Sequence, residues 1–338
     1  MHSLAITVNT IKINEIANLL RNTAIAGEEE SGEHRFQWTK NSETLANAYL
    51  AIVAICHQTS PLGERRLEGH IHNQPKYGWD YLKEKFLLSA LDDARWHTPS
   101  GWQLITPADL SMLFSDSTSG LTLNRINERA YLLNNLGDQL STIGLDSITQ
   151  LFEDCGRHLA GDNGLFAVLR RTDAYRDPAA KKAQFFLSIA IQECGWHPVD
   201  QISLASPVDY HELRGHLRIG TVEISDTSLR AKIERGLTLS EEEDSALRLA
   251  VQDANGRIAS ATRTTTSSLH YLLWNTFRNC CPRGSLATHC QACPPSCNLP
   301  SRYKEAKPDP QKCIFSSHCD SANKISKPNE PPYMGHYY

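Results

Sequence analysis

Residues 206–220 read SPVDYHELRGHLRIG. Ser206 can accept hydrogen bonds as an N-cap, Pro207 suits the first helical position, and Asp209 sits three residues after the cap. Leu213 and Leu217 then fall on one side at helical spacing. The stretch predicts a helix with a carboxylate in its first turn. The same logic recurs upstream, where 172–182 read TDAYRDPAAKK. There Asp177 is placed as an N-cap and Pro178 opens a helix that continues through AAKKAQFFLSIAIQ.

Other segments carry the same period. LANAYLAIVAIC (45–56) brings Leu45, Tyr49, Ile52, Val53 and Cys56 round at helical spacing, which predicts a buried helix. Further helices are predicted over 79–93, 108–113, 123–142, 240–258 with a Ser240/Glu243 capping box, and 267–279. Residues 60–78 and 97–107 are turn-rich, and neither alternating strands nor an internal repeat is visible. The expected fold is all-α, with an extension over 1–43, a helical core over 44–279 and a cysteine-rich region with an irregular tail over 280–338.

The chain has 338 residues, 40% hydrophobic and 21% charged, which describes a globular protein. A net charge of −4 gives no global signature of nucleic-acid binding, though a local basic face would still serve. No apolar run is long enough to cross a bilayer, and MHSLAITVNTIKINEIANLL lacks the features of a signal peptide. The expectation is a cytoplasmic monomer with no membrane partner, nucleoid-associated if bacterial. Of ten cysteines, seven fall between Cys280 and Cys319. Such clustering without an export signal favours metal ligation over disulfides. Cys290 and Cys293 have the tightest spacing, and Cys281, Cys297, Cys313 and Cys319 complete the candidates. Four thiolates suit zinc or a [4Fe–4S] cluster equally, and spacing alone does not choose.

Three segments, in order, resemble the helix–hairpin–helix DNA glycosylase superfamily in its endonuclease III- and MutY-like branch. AIVAICHQTSP (51–61) resembles its early helix ending in a Gln–Thr pair. SPVDYHELRGHLRIG is similar to its V-D-x-H-x-x-R motif, and HYLLWNTFRNCC (270–281) with CIFSSHCD (313–320) resembles its final helix and cluster cysteines. The resemblance implies a two-lobed helical fold with the active site between the lobes, a [4Fe–4S] cluster, and double-stranded DNA carrying a flipped base as partner. It implies that Asp209 is catalytic, that Gln58 enters the space left by the flipped base, and that Lys181 holds the place of the Schiff-base lysine. The sequence departs from the family where RDPAA (176–180) replaces a glycine-rich hairpin, and in a stretched cysteine spacing. The DYH motif is also similar to the queuosine-salvage nucleosidases, which act on free nucleosides or nucleotides.

Cleaving an N-glycosidic bond builds positive charge on the sugar, so one carboxylate beside C1′ is the minimum requirement. Asp209 is the candidate; its alternative role is the far half of the Ser206 cap. Lys181 is a nucleophile only if burial deprotonates it, and is otherwise a solvated lysine. His57 joins Gln58 as a candidate for contact with an orphan base or phosphate. Trp79 and Asp80, within YGWDYL, are candidates for a stacking site, or Trp79 is core. His211, Lys182, Arg214, Arg218 and Arg278 are candidate contacts to substrate or phosphate. The expected activity is excision of a damaged or hypermodified base, in DNA repair or anti-phage defence, with strand cleavage left open. The alternatives are hydrolysis of a free modified nucleoside and DNA binding without catalysis.

Overall fold

Side-chain caps start several of the helices. Asn41, Ser147, Asp226, Ser240 and Thr265 each accept the amide of a residue two or three further on, and the Ser240/Glu243 capping box is formed. The structure, a computed structural model, describes residues 5–21, 36–61, 63–283, 290, 292, 299–305, 307, 309–324, 327–332 and 335–337. Its elements run β1 (Ile6–Val8), α1 (Thr10–Arg21), α2 (Ser42–Ala54), β2 (Glu68–Ile71), β3 (Gln74–Tyr77), α3 (Gly78–Asp92), α4 (Pro99–Trp102), α5 (Pro107–Phe114), β4 (Ser115–Asp116), β5 (Gly120–Leu121), α6 (Ile126–Thr142) and α7 (Ile148–Asp154). They continue with α8 (Leu165–Leu169), α9 (Lys181–Cys194), α10 (Tyr210–Ile219), β6 (Val222–Ile224), α11 (Thr227–Glu234), α12 (Glu241–Thr262), α13 (Thr266–Cys280) and α14 (Ser301–Glu305). The protein is mostly helical. The described strands form three antiparallel pairs, β1 with β6, β2 with β3 and β4 with β5, each too short to show alternation in sequence. No helix among the described residues is long and apolar enough to cross a membrane.

Contacts divide the chain into two compact units, cut differently from the boundaries read in the sequence. The first joins residues 1–34 to 205–335, and the second comprises 35–204 with 336–338. In the second unit α2 is buried on every side, from Leu45 to Ala54, and packs against α9, α3, α6 and α7. Its one buried polar side chain, Asn47, is fully used: Nδ2 donates to His97 O and Asp146 O, and Oδ1 accepts from Ile148 N. Such a group costs little once all its bonds are made.

In the first unit the N-terminal segment belongs to the core. Ile13, Ile16 and Leu20 of α1 are buried against α12, and Thr7 of β1 pairs with Glu223 of β6. Helix α10 crosses α13 with Gly215 against the Phe277 ring. A Cβ at 215 would fall 2.2 Å from Phe277 Cδ2, so the close approach of the two helices depends on the absent side chain. Gly215→Ala is expected to lower stability by about 1–3 kcal/mol through overpacking, read as a drop in the thermal midpoint. An unchanged midpoint would mean that the two helices separate at no cost.

Candidate functional site

The start of α10 differs from the predicted one. Asp209, not Ser206, is the N-cap, and the helix begins at Tyr210. Asp209 Oδ1 accepts from His211 N at 2.7 Å and Glu212 N at 3.2 Å. Ser206 is buried instead in a polar cluster, with Oγ 3.0 Å from Glu212 Oε1 and 3.2 Å from His270 Nδ1. Asp209 Oδ2 accepts from Trp274 Nε1 at 2.8 Å. Three N–H donors from two helices thus fix the direction of a half-buried carboxylate. The indole of Trp274 meets the His211 ring edge-on at 6.1 Å and carries the Arg278 guanidinium on its face at 4.8 Å. Arg278 is exposed and has no carboxylate partner among the described residues. Burial above all, with Arg214 and Arg278 nearby and Asp209 opposing, pushes His211 down to about 4.

The other two basic residues of the motif are occupied within the protein. Arg214 is 1% exposed; it donates to Cys281 O at 2.6 Å and pairs with Glu330 at 2.7 Å. Arg218, also 1% exposed, donates to Pro328 O, Pro282 O and Asn329 Oδ1 and reaches Cys281 Sγ at 3.1 Å. Neither guanidinium is presented to a phosphate. Both instead hold the cysteine region and tail on α10.

Of the candidate ligands, Cys281, Cys290, Cys313 and Cys319 are described, and Cys293 and Cys297 lie outside the described residues. Among the described residues no three side chains are arranged as ligands of one ion. Several thiols nevertheless interact. Cys290 is hydrogen-bonded to Cys319, which together with Lys327 Nζ at 3.0 Å pulls the Cys290 thiol down to about 5 against burial. A hydrogen bond to Cys280 and burial push Cys313 up, and burial raises Cys281 despite Arg218. Of these thiols only Cys290 is drawn towards the thiolate, because its hydrogen bond with Cys319 raises Cys319 in turn.

In the second unit α2 ends at Ala54, two residues before the predicted Cys56. Its last carbonyls meet two buried cations: Lys182 Nζ donates to Ala54 O, and Arg129 donates to Ile55 O and His57 O. These N–H donors satisfy backbone carbonyls at and just beyond the last turn of α2, which have no partner within the helix. Lys182 is wholly buried, so its amine serves the helix end and not a ligand. His57 is also wholly buried, 3.2 Å from Glu128, and pushed well below its ordinary value by burial, then by Arg129 and Lys182. Gln58 follows half-buried in the left-handed region, at φ 48°.

The hairpin before α9 also differs from expectation. The helix starts at Lys181, and Ala180 takes the left-handed φ of 51° that a glycine would adopt more cheaply. The wholly buried Asp177 accepts from Ala179 N at 3.1 Å and Lys181 N at 2.9 Å. An internal carboxylate therefore sits on amides that could otherwise face a phosphate. Lys181 is nearly buried, its Nζ 3.9 Å from Cys56 Sγ and 5.4 Å from the centre of the Phe185 ring. Trp79 packs edge-on against the same ring at 4.8 Å, and Asp80 is exposed in the first turn of α3.

A scan against protein-family models and a search of curated proteins both find no match for this chain. The chemistry of the site therefore rests on its own residues. Trp274 and Glu330 were missed in sequence, because nothing in local spacing marks a contact made 65 residues away, as between Trp274 and Asp209.

Burial, reinforced by Lys181 and Arg129 and opposed by Cys56, lowers Lys182 from 10.5 to about 7. Between those values the unfolded chain binds the extra proton, so this lysine adds stability as pH rises. Compared with Lys182→Met, the native protein is expected to gain thermal midpoint between about pH 7 and pH 10. Parallel midpoints across that range would show that Lys182 titrates alike in both states.

Proposed function

We propose that the protein is an N-glycosyl hydrolase that excises a modified base from DNA, with Asp209 as the carboxylate beside C1′. The observation that carries this reading is the Asp209 carboxylate, fixed by two helix amides on one oxygen and the Trp274 indole on the other. Catalysis by electrostatic stabilisation needs a charge aimed in advance at the site where opposite charge develops. Exposed Arg278, stacked on that indole, is the candidate phosphate contact. Water is the expected nucleophile, because Lys181 lies against Cys56 and Phe185.

A second reading, hydrolysis of a free modified nucleoside, is favoured by two observations. Asp177 already fills the amides before α9, and Lys182, Arg214 and Arg218 are turned inward. Assaying released base from modified duplexes and from free nucleosides separates the two. Asp209→Asn is expected to slow single-turnover base release by roughly 10²-fold or more with binding retained. A folded variant with unchanged release would end the proposal.

We further propose that the cysteine region holds a [4Fe–4S] cluster, with ligands drawn from Cys281, Cys290, Cys313, Cys319 and the undescribed Cys293 and Cys297. When bound, such a group would fasten the tail to α10 and α13. Anaerobically isolated protein is expected to be brown, with about four irons per chain and acid-labile sulfide. Stoichiometric zinc without iron would replace the cluster with a zinc site.

A further inference from the structure

Glu330 Oε2 lies 2.7 Å from Arg214 Nη1 as an ion pair without hydrogen-bond alignment, Arg214 Nε donates to Cys281 O at 2.6 Å, and Arg214 Nη2 lies 2.8 Å from His211 Nδ1. A guanidinium has five N–H donors and no acceptor. His211 Nδ1 must therefore accept, which places the ring proton on Nε2 and opposes a second one. Nε2 makes no hydrogen bond among the described residues, and His211 is only half-buried. Burial and the neighbouring Arg214 and Arg278 cations act in the same direction as this geometry.

We infer that Glu330, through Arg214, holds His211 as a neutral imidazole whose Nε2–H donates a hydrogen bond to an acceptor atom of the departing base. The acceptor would be a ring nitrogen or carbonyl oxygen that gains electron density as the bond breaks. A neutral donor suits such an atom, whereas phosphate is better met by a cation such as Arg278. The identity of the acceptor rests on the glycosylase reading; the tautomer does not. In the reaction the C1′–N bond breaks and its electron pair leaves with the base. Water oxygen bonds to C1′, and the proton it releases neutralises the base. His211 keeps its own proton throughout. Glu330 and Arg214 are positioning residues.

The test has two arms on the full chain. In ¹⁵N-histidine-labelled protein at neutral pH, His211 is expected to show a pyridine-like Nδ1 and a pyrrole-like Nε2, assigned by the signals lost in His211→Gln. Glu330→Gln should blur that pattern towards a mixture of tautomers. A pyrrole-like Nδ1, or a doubly protonated ring, overturns the inference. In single-turnover base release, His211→Phe is expected to lose about tenfold, the worth of roughly one hydrogen bond. His211→Gln, which keeps a donor near Nε2, should recover part of that loss. Full activity of a folded His211→Phe overturns the donor role. If Asp209→Asn is equally unimpaired, the glycosylase reading has failed instead, and the spectra still decide the tautomer.

Discussion

Arg214 and Arg218 lie one turn apart on α10, both inside the protein, and a buried cation is tolerated only where enough acceptors surround it. That requirement organises the first unit. Their ten N–H bonds call in the carbonyls of Cys281, Pro282 and Pro328, the Asn329 side chain, the Cys281 sulfur, and the Glu330 carboxylate. A tail with little apolar content is thereby fixed to the helix that carries Asp209. Glu330 also pairs with Arg283, whose guanidinium lies 4.8 Å above the Tyr210 ring, so the same carboxylate supports the first residue of α10 from a second direction.

The second unit solves a similar problem with the signs arranged along a helix axis. Helix α2 is too apolar to leave the core, so its last carbonyls end inside the protein, away from water. Lys182 and Arg129 satisfy them, and Arg129 also bonds to Asn124 O and Oδ1. The chain then turns sharply enough to put Gln58 at positive φ, a conformation that costs about 1 kcal/mol for a residue with a Cβ. Before α9, Ala180 makes a second turn of this kind with Asp177 seated on the following amides. Both features sit at ends of elements whose interiors are regular.

Helical periodicity, caps and prolines in the sequence determined that this chain is mostly helical, and they located α2, α3, α6, α9, α12 and α13 to within a few residues. They could do so because these signals are local: the Ser240/Glu243 box is complete within four residues, and the apolar face of α9 repeats within one helix. The same signals marked Asp209 as a carboxylate at a helix start. Tertiary structure alone decided which residue caps, since Ser206 is drawn away by Glu212 and His270, contacts made 6 and 64 residues along the chain. It alone turned Arg214, Arg218 and Lys182 inward, because whether a cation faces solvent depends on acceptors supplied by distant carbonyls. It also set Trp274 against Asp209, through a helix crossing that Gly215 permits and that no one-dimensional pattern records.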